Sequence, residues 1–156
     1  MSGAGDRLTV APESPDTPEA RALLASSEEA MNALYPAEAN FMLDVAGLMV
    51  REVTFLVARR DGEAVGCGAL ARRGDWAEIK RLFVAPVARG LGLSKRLMAA
   101  LEDAAAAQGI AVIRLETGDR QPEALGLYRT LGYSECGAFA DYPPGPPSLF
   151  FEKRLL

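Results

Sequence analysis

Between Arg89 and Ser94 the chain reads Arg89-Gly90-Leu91-Gly92-Leu93-Ser94, after a strand-like run and at the start of an amphipathic pattern. Such a turn can bind an anion. The first amides of a helix have no internal acceptor, and with the helix dipole they favour negative charge. Gly90 and Gly92 carry no Cβ, so a pyrophosphate could approach the main chain closely. Arg89 adds a charge-assisted contact at the mouth. The spacing is neither GxGxxG after a first strand nor a P-loop. Two glycines could also serve turn geometry alone, and the stretch by itself leaves both readings open. The chain has no histidine. Ser-His and Cys-His pairs are therefore excluded, and carboxylates, tyrosine and lysine remain for acid–base work. Cys67 and Cys136 are the two cysteines; their separation does not make a zinc site, and no metal is expected. Cys67 lies in an apolar run and reads as a small buried strand residue.

These residues need elements to position them. Leu8-Thr9-Val10 reads as a short strand. A helix follows, with Thr17 as cap and Pro18 in its first turn. Its face is Ala20, Leu23, Leu24, Met31 and Leu34, and Tyr35-Pro36 ends it. Residues 37–50 are apolar but poorly patterned, and part of them is expected to be helical. Strands at 53–58, 63–71 and 77–84 are joined by the short turns Asp61-Gly62 and Arg72–Asp75, which predicts an antiparallel meander. The stretch 90–108 reads as a helix with Leu93, Leu97, Met98, Leu101 and Ala105 on one face and Gly109 at its stop. Residues 111–116 look like a strand buried on both faces. A helix at 122–131 and strands at 133–136 and 148–152 complete the order. Between those strands, 137–147 holds the stiff run from Tyr142 to Pro147. The expected class is α/β (α+β), a mixed, mostly antiparallel sheet with helices on both sides.

Length and composition bound the function. The chain of 156 residues predicts one domain, with 1–6 as a flexible tail. Its apolar share of 49% and charged share of 24% are those of a globular protein. A net charge of −4 does not attract a phosphate backbone, so no nucleic-acid partner is expected, and it tolerates a cationic amine. The first residues lack an apolar signal region, and no run reaches the roughly 18 apolar residues of a membrane span. The expectation is a cytoplasmic protein without a membrane partner.

In combination three stretches resemble a known family. Arg89 to Ser94 is similar to the R-x-x-G-x-G/A acetyl-CoA motif of GNAT acetyltransferases. The run Glu78 to Pro86 is similar to that family's fourth strand. The segment Ala124 to Tyr133 resembles its A-x-x-L-Y-x-x-x-G-F/Y element. The stretch from Phe139 to Lys153 is similar to a bacterial branch of the family. The resemblance covers 53–156 and departs from the motif at Ser94, which keeps its amide, and at Gln121, where many members have asparagine.

The resemblance implies an N-acetyltransferase that uses acetyl-CoA as cosubstrate. Leu82, Phe83 and Val84, on a strand splayed by a bulge, would bond the pantetheine arm and supply an oxyanion donor. Arg89, Gly90, Leu91, Gly92, Leu93, Ser94, Lys95 and Gln121 would hold the rest of the cofactor. Tyr128 matches the tyrosine that protonates the departing thiolate. Glu78 stands where some members place a catalytic glutamate; it could instead be a structural partner of Lys80, Arg81 or another arginine. Lys95 and Arg96 are alternatively a solvated helix face, and Trp76 a packing residue. Phe139 and Tyr142 could form a lid on a substrate or cover the sheet edge. The acceptor expected is a primary amine of a small molecule or amino acid, in a ternary complex. A non-catalytic acyl-CoA-binding module and a protein N-acetyltransferase are alternatives on the same fold. A homodimer is common among similar proteins.

Overall fold

The computed structural model describes residues 7–155, so the expected tail at 1–6 lies outside the described residues. The elements are β1 (Leu8–Pro12), α1 (Pro18–Leu34), α2 (Val45–Leu48), β2 (Val53–Arg60), β3 (Glu63–Arg73), β4 (Trp76–Val84), α3 (Leu93–Ala107), β5 (Val112–Gly118), α4 (Pro122–Thr130), β6 (Ser134–Cys136) and β7 (Ser148–Arg154). They build a seven-stranded sheet in the order β1-β2-β3-β4-β5-β7-β6. Every neighbouring pair is antiparallel except β4 and β5.

Local sequence explains the meander. Asp61 and Gly62 both have positive φ (51° and 85°), the left-handed pair that a two-residue hairpin needs to match strand twist. In α1, the Thr17 hydroxyl accepts from the Ala20 amide at 3.0 Å, and Pro18 begins the helix where a missing N–H costs nothing. Alternation along β2 sends Leu56 and Ala58 to one side of the sheet and Phe55 and Val57 to the other. The first side packs on Leu93, Leu97, Met98 and Leu101 of α3. The second packs on Ala20, Leu23 and Leu24 of α1 and Leu48 of α2. Each buried leucine contributes about 1.5–3 kcal/mol, so both helix layers are held by their own stripe.

The structure differs from the sequence reading in two places, the start of α3 and the burial of β5, and sharpens it in a third, where part of 37–50 is helical as expected. The helix expected from Gly90 starts at Leu93, because Gly92 takes a left-handed conformation (φ 75°) as its cap. Residues 37–50 yield only a single 3-10 turn and the four residues of α2. Strand β5 is not buried on both faces. Ile113, Leu115 and Thr117 are buried, while Val112, Arg114 and Glu116 on the opposite face are half-buried. The α3 side takes the apolar set, and the other side takes one arginine and one carboxylate.

Two irregularities shape the functional end. In the β3–β4 ladder, Cys67 pairs with Phe83 and Ala69 with Lys80, so Arg81 and Leu82 stand opposite Gly68 alone. That is a bulge on β4, and Arg81 has φ 59°. The β4–β5 ladder stops at Ile79↔Leu115, although β4 runs on to Val84 and β5 to Gly118. Beyond that point the two strands part.

Candidate active site

The parted strands open a cavity of about 770 Å³, within the size range of small-molecule sites. Its walls come from Lys80 to Val84 on β4, Glu116 to Gly118 on β5, the turn before α3, one face of α4 (Glu123, Ala124, Leu127 and Tyr128) and the C-terminal part of α1.

At one end stands the turn. Gly90 and Gly92 have φ of 84° and 75°, and a Cβ at either would meet nothing nearby, so backbone conformation rather than crowding requires glycine there. The first backbone bond into α3 runs from the Arg96 amide to the Gly92 carbonyl at 3.1 Å. The amides of Leu93, Ser94 and Lys95 therefore have no intrahelical acceptor. Arg89 donates from Nε to the Val84 carbonyl at 3.2 Å, which anchors the turn to the end of β4.

At the other end is a polar cluster. Glu78 is 2% exposed. Its Oε1 accepts from Arg73 Nη2 at 3.3 Å, and its Oε2 from Lys80 Nζ at 3.5 Å and from the Tyr142 hydroxyl. Lys80 Nζ also donates to the Phe41 carbonyl at 2.9 Å and to the Tyr142 oxygen. Burial lowers the Lys80 pKa, while Glu78 opposes that shift. Glu116 faces the same cavity from β5. Its Oε2 accepts from Ser148 Oγ at 2.7 Å, and no other described residue donates to it. Burial raises its pKa, moderated by Ser148 and Lys80.

Tyr128, on α4, lines the cavity and is 7% exposed. Its ring packs on Tyr133 and Phe151, and among the described residues its hydroxyl has no hydrogen-bond partner. Burial, and then the Glu116 charge, push its pKa up. A phenol so placed stays protonated across the neutral range.

The sequence-predicted residues converge on this cavity. Glu78, Leu82, Phe83, Val84, Arg89, Gly90, Gly92, Leu93, Ser94, Lys95, Gln121 and Tyr128 all line it. Leu91 does not; it packs against the core. Gln121 folds its amide back onto Thr117 Oγ1 at 3.4 Å. Arg96 stays on the exposed face of α3. Arg81 does not pair with Glu78. Its guanidinium is buried and donates to the Leu24 and Leu43 carbonyls and to Glu28, tying α1 to the bulge. Cys67 is buried, and burial pushes its thiol up to about 12, which leaves it unreactive. Trp76 packs on Phe139, with the Arg114 guanidinium over its ring.

Sequence reasoning did not select Glu116, and it treated Lys80 only as a partner for Glu78. A signal for Glu116 existed. In Ile113-Arg114-Leu115-Glu116 the alternation puts Glu116 on the face away from the α3 core, at the point where pairing with β4 has ended. Tyr35 was read only as a helix stop. Its buried hydroxyl accepts from the Arg120 amide at 2.9 Å, and a Cβ on Gly118 would run into it.

A model described as the acetyltransferase (GNAT) family matches residues 19–133. An IAA acetyltransferase of Azospirillum brasilense is 43% identical over 150 residues, which cover 95% of this chain and 98% of that protein. A crystal structure from Klebsiella pneumoniae, provisionally described as an acyl-CoA N-acyltransferase, matches with a TM-score of 0.81 at 36% identity, covering 96% of this chain and 98% of that one. A PaiA N-acetyltransferase from Thermoplasma acidophilum, solved in complex with coenzyme A, shares the fold at a TM-score of 0.72 and 16% identity, covering 95% of this chain and 99% of that one. No helix among the described residues is long and apolar enough to cross a membrane.

Proposed function

The chain belongs to the acetyltransferase (GNAT) family and is an acyltransferase, and from that premise we propose that it moves the acetyl group of acetyl-CoA onto a primary amine of a small molecule, by direct attack in a ternary complex. The observation that carries this reading is the wedge beyond Ile79 and Leu115. It has unpartnered α3 amides at one end, carboxylates at the other, and the Tyr128 phenol in its wall. The Azospirillum relative, by its name, acts on IAA, which supports a small acceptor.

Each step falls to a residue of this chain. The α3 amides and Arg89 hold the pyrophosphate. Freed main-chain groups of Leu82, Phe83 and Val84 hold the pantetheine arm as an added strand and face the thioester oxygen as it gains negative charge. An alkylammonium has a pKa of roughly 10 and must lose a proton before its nitrogen can attack. Glu116 takes that proton. The nitrogen–carbon bond forms, the nitrogen releases its second proton to solvent, the carbon–sulfur bond breaks, and the departing thiolate takes the Tyr128 proton; solvent then returns a proton to Tyr128 and removes the one on Glu116.

The sequence reading put the base at Glu78; we place it at Glu116. Glu78 is fixed by Arg73, Lys80 and Tyr142. Those three donors engage both of its oxygens and hold the side chain in place. Glu116 has an oxygen without a partner, and burial brings its pKa towards the operating pH, where a base works best.

The test is a thiol-release screen with acetyl-CoA against amines and amino acids, run beside calorimetry with coenzyme A. Binding and turnover of at least one amine are expected. An absence of heat on adding coenzyme A removes the reading. Tight binding without turnover across the panel favours a non-catalytic acyl-CoA-binding module.

A further inference from the structure

We propose that Tyr142 is the specificity-determining residue of the acceptor end, and that the pocket it closes takes a compact apolar monoamine. The inference rests on the acetyl-transfer reading for the identity of the ligand as an amine, but not for the role of Tyr142.

Tyr142 comes from the proline-rich stretch after β6, 64 and 62 residues from the Glu78 and Lys80 side chains that its hydroxyl touches. Its hydroxyl donates to Glu78 Oε2 and accepts from Lys80 Nζ. Its ring meets Phe41, Phe139 and Phe150 edge-on, at centroid distances of 5.4, 5.3 and 5.8 Å. Lys80 Nζ lies 5.0 Å from the ring centre and also holds the Phe41 carbonyl. One side chain thus joins the 40–42 segment, β4 and the C-terminal loop around the cavity. The local turn supports this aim: the Tyr142 amide bonds the Phe139 carbonyl at 3.3 Å, and Ala140 between them holds a φ of 52°.

The chemistry of the pocket follows from what Tyr142 occupies. Met31, Leu34, Phe41 and Met42 line its acceptor end, so the body of the ligand meets apolar surface. Glu78 is already matched by Arg73 and Lys80. Glu116 makes no ion pair with any described residue and can take one ammonium. A second positive charge on the ligand would have no free carboxylate in this part of the cavity, and a longer body would strike the Tyr142 ring.

The experiment compares wild type, Tyr142→Phe and Tyr142→Ala on amines graded from short alkylamines to bulky arylalkylamines, with a polyamine as counter-probe. Hydrogen exchange of residues 137–142 is measured on the free proteins, and coenzyme A calorimetry checks that each variant is folded. Tyr142→Ala is expected to shift kcat/KM towards the bulkier amines by about tenfold or more. Tyr142→Phe keeps the size preference, raises the acceptor KM by about tenfold while leaving the acetyl-CoA KM unchanged, and speeds exchange in the loop. An unchanged size profile in Tyr142→Ala overturns the specificity role, as does a polyamine preferred by wild type. Unchanged loop exchange in Tyr142→Phe overturns the grip. If wild type acetylates no amine, the acetyl-transfer reading falls by itself, and the exchange measurement still decides whether Tyr142 closes the pocket.

Discussion

The two ends of the cavity are built from different materials. The end at α3 is made of main chain: a six-residue turn with two left-handed glycines and the first amides of a helix. The end at Tyr142 is made of side chains from α1, the 40–42 segment, β4, β5 and the C-terminal loop. A main-chain site recognises a shape and charge common to many ligands, on the proposed reading a diphosphate. A side-chain site can be altered one residue at a time, so it is suited to setting which acceptor enters. The proposed catalytic pair spans the boundary, with Tyr128 on α4 and Glu116 on β5.

If that division holds, changes at the boundary should stop chemistry without loosening the cofactor. The largest effect is expected for Tyr128→Phe, which should lower kcat by about 10²–10⁴ while coenzyme A binds as before in calorimetry. Turnover equal to wild type would remove Tyr128 as the acid and leave it a packing residue.

Glu116→Gln comes next, with kcat/KM down by about 10²–10³. The pH profile gives the sign. Burial raises the Glu116 pKa, so the protonated, inactive form persists to higher pH than for an ordinary carboxyl group. Activity should climb as pH rises through that raised value, and Glu116→Gln should erase this limb. Glu78→Gln should retain the limb, because it disturbs the Lys80 and Tyr142 network instead. A limb lost in Glu78→Gln and kept in Glu116→Gln would return the base to Glu78.

Gly118→Ala tests the wall between α1 and β5. The new methyl would collide with Tyr35, whose hydroxyl serves the Arg120 amide. A loss of about 1–3 kcal/mol in denaturant unfolding is expected. No loss would mean that the α1 terminus yields easily and does not fix this wall.

The smallest effect should be Gly92→Ala. A Cβ there meets no atom, so only the left-handed backbone opposes it, at about 1–2 kcal/mol. Steady-state kinetics should show the acetyl-CoA KM raised and the acceptor KM nearly unchanged. An equal rise in both would join the two ends into a single unit and break the comparison.

The same contrast explains what could be read without a structure. The turn at Arg89 to Ser94 was legible because its chemistry is contiguous: strand, glycines and helix start lie within a dozen residues. The tyrosine on α4 was legible through the likeness of its segment to a family element. Glu78 was legible as a cavity residue and Lys80 as a partner for it, but its bonds to Arg73 and Tyr142 were not, and they help decide what it can do. Glu116 was hidden for a related reason. Its alternation with Leu115 was in the sequence, but the end of pairing at Ile79↔Leu115 was not.

The sequence by itself determined the elements and their order, because capping, turn chemistry and apolar spacing act over a few residues. It also determined the glycine turn before α3, whose amides belong to the backbone at that point in the chain. Only the tertiary structure decided where β4 and β5 part, which carboxylate keeps a free oxygen, and that Tyr142 closes on Lys80 and Glu78. Those outcomes depend on segments up to 64 residues apart in the chain. Their contact follows from sheet order and helix packing, which no local pattern encodes.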